Sequence, residues 1–150
     1  GSIFTELLIN GLQGQAADVA GKITVGSLYR YLEQLLSLAD QKPQFAGYLD
    51  KEFVIRTSKP SLSKEIIRQL KPLFQGKKGM FPLTPAHEPS EGHGDIEKEK
   101  DFRLLQKFAN VGFVKPVGED HMYYAALNSK SCKLTPIGHY YRQLVLKKQI

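Results

Sequence analysis

Cys132 is the single thiol of the chain, and a cysteine nucleophile needs a neighbouring base to take its proton. His121 and His139 flank it in sequence and are the bases a Cys–His dyad would use. The setting favours packing instead: Ser131-Cys132-Lys133-Leu134-Thr135 runs directly into a helix, where a small, half-buried cysteine behaves as a hydrophobe. His87 and His93, with Glu88, Glu91 and Asp95, make the one metal-like cluster. Its spacing fits no closed four-ligand pattern and its surroundings are rich in proline and glycine, which predicts a solvated loop. The loop 17–24 holds one carboxylate, Asp18, whereas a hard cation needs about six oxygens, several of them charged. Gly14 to Lys22 mimics a phosphate loop, but six residues separate Gly14 from Gly21 and Ile23 stands where a magnesium-binding hydroxyl belongs. No metal, no cofactor and no catalytic residue is expected.

What remains is charge, and the elements that place it. The chain has 150 residues, 41% of them hydrophobic and 24% charged, enough apolar material for a core and unlike a disordered composition. Its apolar runs are far shorter than the roughly 20 residues of a bilayer crossing, and no basic-then-apolar leader opens it. A soluble, unexported protein is expected, and the lone cysteine agrees with a reducing, cytoplasmic setting. The net charge of +6 is unevenly placed: residues 1–59 carry six basic and six acidic side chains, residues 60–150 fifteen and nine. Thr57-Ser58-Lys59-Pro60-Ser61 lies at the change, with a proline that disfavours helix at Lys59. This predicts a linker between two units, 1–59 and 60–150.

In the first unit Phe4, Leu7, Leu8 and Leu12 share one helical stripe, closed by Gly11 and Gly14. Thr24 predicts an N-cap for a helix over 25–39, where Val25, Leu28, Tyr29, Leu32, Leu35 and Leu36 recur at the spacing of a buried face. Segments 44–48 and 52–57 are short; Phe53-Val54-Ile55 predicts a strand, with a turn at Asp50-Lys51 before it.

These residues resemble a known family. Ile3-Phe4-Thr5, Leu7-Leu8, Asn10-Gly11-Leu12, Gly14, Ala17-Asp18, Gly21, Ile23-Thr24-Val25, Leu28-Tyr29 and Tyr31-Leu32 look, in that order, like the closing portion of bacterial caspase-like cysteine peptidases. Gln41, Pro43 and segment 47–55 resemble that family's glutamine-proline turn and final strand. The resemblance spans about residues 2–57 and implies the C-terminal, small-subunit piece of a caspase-like α/β domain. The family's catalytic histidine and cysteine lie upstream of the matching region, so no catalytic residue carries over. All four histidines and Cys132 fall outside the match.

In the second unit Ser61 or Ser63 predicts the cap of a helix through Phe74, with Leu62, Ile66, Leu70, Leu73 and Phe74 inward. Met80–Leu83 predicts an edge strand and Thr84-Pro85 a short helix start. A helix from Asp95 or Ile96 to Asn110 follows, with Phe102, Leu105, Phe108 and Ala109 inward and its acids at the positive end of the dipole. Segments 111–117 and 121–127 predict a hairpin about Gly118-Glu119-Asp120, then a loop over 128–131. Thr135 and Pro136 open a last helix, with Ile137, Tyr141, Leu144 and Val145 inward. Of the pairs Tyr123-Tyr124 and Tyr140-Tyr141, one tyrosine each is expected in the core.

Leu104-Leu105, Phe108 and Val111-Gly112-Phe113-Val114, with Leu134-Thr135-Pro136-Ile137-Gly138 and Tyr141, resemble a winged-helix domain covering about 62–147. The recognition helix of such a domain meets phosphate with its N-terminal part. Here that part carries Asp95, Glu97, Glu99 and Asp101 among Lys98 and Lys100, and carboxylates repel phosphate. Basic residues remain on the first helix (Lys64, Arg68, Lys71), the wing (Lys115, Lys130, Lys133) and the last helix (Arg142, Lys147, Lys148). Solvated faces explain these more cheaply than a nucleic-acid patch. The last two groups are the candidate surface for a partner or nucleic acid.

The sequence therefore predicts an α+β chain: the C-terminal piece of a caspase-like domain at 1–59 and a winged-helix-like domain at 60–150. Its implied role is non-catalytic, partnering the large catalytic subunit of the same peptidase or another protein, with no membrane contact. An independent winged-helix nucleic-acid-binding protein or transcription regulator is the less favoured alternative, and a scaffold pairing through helix 25–39 a third.

Overall fold

The structure, a computed structural model, describes residues 2–38, 40, 44, 47 and 53–150. They are of mixed α and β character, 53% helical and 13% strand. Contacts divide the chain into two compact units, Gly1–Ser63 and Lys64–Ile150. Most of segment 44–48, the turn at Asp50-Lys51, Gln41 and Pro43 lie outside the described residues.

In the first unit, α1 (Ile3–Asn10) starts at Ser2, whose hydroxyl accepts from the Thr5 amide at 3.2 Å. It continues through a wider π-type turn over Gly11–Gln15. At Gly11 the chain passes close to α2 (Val25–Ser37): a methyl group there would meet Leu28 Cδ1 at 2.7 Å. Thr24 ends β1 (Lys22–Thr24) and caps α2, its hydroxyl accepting from the Ser27 amide at 3.0 Å while Ser27 Oγ accepts from the Thr24 amide at 2.9 Å. β2 (Val54–Thr57) pairs antiparallel with β1.

The segment 57–61, expected as a linker, is bound to this unit. The Ser58 amide donates to the Gly21 carbonyl at 2.6 Å and the Ser61 amide to the Val19 carbonyl at 3.0 Å. Gly21 sits at φ 81°, and a side chain there would collide with the Ser58 carbonyl oxygen.

The second unit opens with two short helices, α3 (Lys64–Arg68) and α4 (Leu70–Leu73), where a single one was expected. Pro72 is the cause: it has no N–H for the Arg68 carbonyl, and its ring crowds that carbonyl. Ile67, at i, i+3, i+7 with Leu70 and Phe74, is the buried isoleucine, and Ile66 is only half-buried. β3 (Met80–Pro82) leads to two 3-10 turns, Pro85–His87 and Pro89–Glu91. Asp95 Oδ1 accepts from the Lys98 amide at 3.1 Å and caps α5 (Ile96–Asn110), which buries Phe102, Leu105 and Phe108.

The expected wing hairpin is not formed. After β4 (Val114–Val117) the chain enters a helix, α6 (Met122–Leu127), and the partner of β4 is β5 (Ser131–Leu134), which begins at the last residue of the expected loop over 128–131. Met122, Ala125 and Ala126 are buried at helical spacing, and alanine is the best helix former. Helix formation turns Tyr123 and Tyr124 both outward, against the expectation of one in the core. β5 alternates, Cys132 and Leu134 inward and Ser131 and Lys133 outward, and lies between β3 and β4 in an antiparallel sheet of order β3-β5-β4.

α7 (Pro136–Leu146) is locked to the sheet at its first turn. Thr135 Oγ1 accepts from the Gly138 amide at 3.2 Å and donates to the Gly112 carbonyl, while the Thr135 amide donates to the Phe113 carbonyl at 3.0 Å. Tyr141 then stacks on Phe113 at 4.6 Å between centroids; Ile137, expected inward, is exposed. Gly138 touches Phe113 so closely that a methyl group would collide with its carbonyl oxygen.

Two substitutions separate this contact from ordinary glycine effects. Gly138→Ala is expected to destabilise the second unit by about 3 kcal/mol or more, since the colliding atom is backbone. Gly92→Ala, at φ 70° in open space, is expected to cost only about 1 kcal/mol. Urea denaturation followed by circular dichroism measures both.

Candidate interaction surfaces

α1 carries five large apolar side chains, Ile3, Phe4, Leu7, Leu8 and Ile9, among the polar Thr5, Glu6 and Asn10, yet none of its residues is buried. Gly11 marks the side facing α2, and Ile9, about 160° around the helix from it, is 48% exposed. The apolar side of a helix is ordinarily turned toward protein. β2 has the same deficit. Successive strand residues point to opposite faces, and Val54 and Ile55 are 40% and 43% exposed, so each face of β2 is only partly covered. Phe53, just before it, is 64% exposed.

Of the groups that sequence spacing put forward for chemistry, Cys132, Asp18 and His87 have structural duties, while Glu91, His93, His121 and His139 are exposed. Cys132 is fully buried in the central strand of the sheet, opposite Phe81 on one side and Pro116 on the other. Burial pushes its thiol up to about 12, so it stays protonated at neutral pH and is no nucleophile. Asp18 organises a turn, its Oδ1 accepting from the Lys22 amide at 2.9 Å. His87 was placed in a solvated loop, and this is overturned: it is 5% exposed and its ring meets Phe81 edge-on at 5.7 Å. Its Nδ1 accepts from the Thr84 amide at 3.0 Å, which requires that nitrogen to be unprotonated. Among the described residues no group of three or more His, Cys, Asp or Glu side chains could hold a metal ion.

The six candidate cations divide. Lys115 and Lys133 stand directly opposite each other across β4 and β5, on the sheet face that also carries Ser131 and Met80. Like charges in that position repel, and neither has a described carboxylate in ion-pair range. Lys130 lies at the end of the same pair of strands, its side chain beside Gly118. Arg142 is withdrawn: it is half-buried, and its Nη2 donates to the Phe74 carbonyl at 3.4 Å, joining α7 to the end of α4. Lys147 and Lys148 are exposed at the end of α7.

Sequence reading missed a second basic surface. Lys100, Arg103 and Lys107 project from α5 opposite its buried phenylalanines, and with Gln69 and half-buried Leu104 they line a groove of about 330 Å³. The i, i+3, i+7 spacing was visible; the acids of the preceding turns drew attention away from it. A wider cleft of about 750 Å³, lined by Gln106, Asn110, Lys115, Asp120, His121 and Tyr123 among others, lies along α5, β4 and α6. No family profile, curated protein or solved structure matches the chain.

Burial lowers the pKa of His87 from 6.5, so the unfolded chain takes up the proton more readily than the folded one. The stability this provides is fully present above about pH 6.5 and is lost as pH falls below that and through the lowered pKa of the folded state. Thermal unfolding between pH 8 and pH 5 is expected to show this fall, reduced in His87→Gln. Cys132 is expected to resist iodoacetamide in the native protein and to react once urea unfolds it.

Proposed function

We propose that this chain is the C-terminal, non-catalytic portion of a caspase-like cysteine peptidase, followed by a winged-helix-like domain that binds a partner or controls the protease. The observation that carries the reading is the uncovered apolar surface of α1 and β2, which lie within the stretch resembling the end of the peptidase domain. Large apolar side chains left in water on a helix and on a strand are the material of a docking surface. The part of such a domain that bears the catalytic histidine and cysteine is the natural cover. A two-stranded sheet is marginal alone, and β1-β2 gains stability if further strands extend it.

For the second unit, the support is the sheet order β3-β5-β4, the passage from α5 into β4, and the Thr135–Gly138 join that opens α7. The helix α6 between β4 and β5 departs from a simple wing.

The chain is to be co-expressed with the polypeptide encoded immediately upstream of Gly1. The expected result is a co-purifying complex that hydrolyses fluorogenic peptides, with the chain inert alone. Phe53→Lys combined with Ile55→Lys is expected to weaken the complex at least about tenfold while leaving the melting of the second unit unchanged. An upstream segment without a histidine and a cysteine at strand ends, failure of the two parts to associate, or peptide hydrolysis by the chain alone that Cys132→Ala abolishes, overturns the proposal.

A further inference from the structure

The outward ridge of α5 carries three cations in under three turns, Lys100, Arg103 and Lys107, each exposed and none within ion-pair range of a described carboxylate. Glu99 stands four residues before Arg103, a spacing at which the two could pair, yet no such pair forms. Like charges at these helical spacings repel and weaken the helix. The ridge is not purely polar. Leu104 lies half-buried between Lys100 and Lys107, and Gln69, at the join of α3 and α4, completes the groove.

We propose that this groove docks an acidic peptide segment of a protein partner, one that sets an apolar side chain between two carboxylates. The site is a strip of charge with an apolar centre: Lys100 and Lys107 are about 10.5 Å apart along the helix axis, with Leu104 between them. Carboxylates at the two ends of a short segment meet the two lysines, Arg103 holds one of them in a bidentate grip, and a leucine-sized side chain covers Leu104. The volume suits one or two side chains at the small end of the range for binding pockets.

The first turns of α5 shape the choice of polyanion. Asp95, Glu97, Glu99 and Asp101 lie on the same helix, and they repel a phosphate backbone laid along its length. A peptide confined to the span from Lys100 to Lys107 stops short of Asp95, Glu97 and Glu99 and passes only Asp101, which stands about 100° around the helix from Lys100. This inference rests on the reading of the second unit as a partner-binding module and supplies the chemistry of its partner. Its readouts lie in the second unit, so it can fail while the first unit still binds the catalytic portion, and the reverse.

The test uses the whole chain and a fluorescein-labelled peptide of sequence Glu-Asp-Leu-Leu-Asp-Glu, with anisotropy for affinity and amide chemical shifts for location. The expected shifts fall on Gln69, Lys100, Arg103, Leu104 and Lys107. Arg103→Glu with Lys107→Glu is expected to weaken binding about tenfold or more, and replacing the peptide's leucines by serine is expected to weaken it as well. Lys100→Gln with Lys107→Gln, which removes like-charge repulsion, is expected to weaken binding without lowering the melting temperature. Undetectable binding, shifts that fall elsewhere, affinity indifferent to charge reversal or to loss of the leucines, or duplex DNA binding this ridge as tightly as the peptide, overturns the proposal.

Discussion

Ala16, Ile23, Leu32, Leu36 and Leu62 are the apolar side chains that the first unit buries among its described residues, and the shortage of cover that this represents governs everything else about it. A unit of this size hides only about 60% of the surface its unfolded chain exposes. Among its described residues it leaves Ile3, Phe4 and Ile9 of α1 and Val54 and Ile55 of β2 partly in water. The hydrogen bonding of the unit is nonetheless well made. The capping box at Thr24, the Asp18 turn and the anchoring of Ser58 on Gly21 all specify one backbone course. A backbone so specified, with apolar side chains left outside it, is what the proposed docking of a partner portion would require.

The second unit is built the other way. Phe74, Phe81, Phe102, Phe108, Phe113 and Tyr141 form its interior, tied by edge and stacked contacts from 4.6 to 6.2 Å between Phe74 and Phe81, Phe108 and Phe113, and Phe113 and Tyr141. The Thr135–Gly138 turn fastens α7 to the end of α5 and the start of β4 by hydrogen bonds and direct backbone contact. Rigidity there lets exposed surfaces carry uncompensated charge. The Lys115–Lys133 pair and the α5 ridge each lower stability slightly, and a folded unit with a closed core tolerates that.

Long amphipathic helices with caps were legible in the sequence: α2 with Thr24, α5 with Asp95 and α7 with Thr135 and Pro136 appear where spacing and capping chemistry place them. The segment Met122–Leu127 was not, because Tyr123-Tyr124 has strand propensity while the burial of Met122, Ala125 and Ala126 depends on a tertiary surface that one sequence does not display. The strand Ser131–Leu134 was hidden by its brevity, although its alternation was present. Of the candidate cations, Lys115 and Lys133 meet only because β4 pairs with β5, a long-range fact. Arg142 looked like surface until Phe74 supplied a carbonyl for it. Bare charge located the basic half of the chain, and only packing could divide its cations into structural and available ones.

The central claim is that α1 and β2 are an interface awaiting the catalytic portion of the same domain, and hydrogen exchange measured by mass spectrometry tests it most directly. The amides of residues 2–12 and 53–57 are to be followed in the chain alone and after the upstream portion is added. The account predicts rapid exchange in both segments alone and slowing by at least about tenfold in the complex, equivalent to about 1.4 kcal/mol of added protection. Strong protection of both segments in the isolated chain, or a complex that leaves their exchange unchanged, would contradict it.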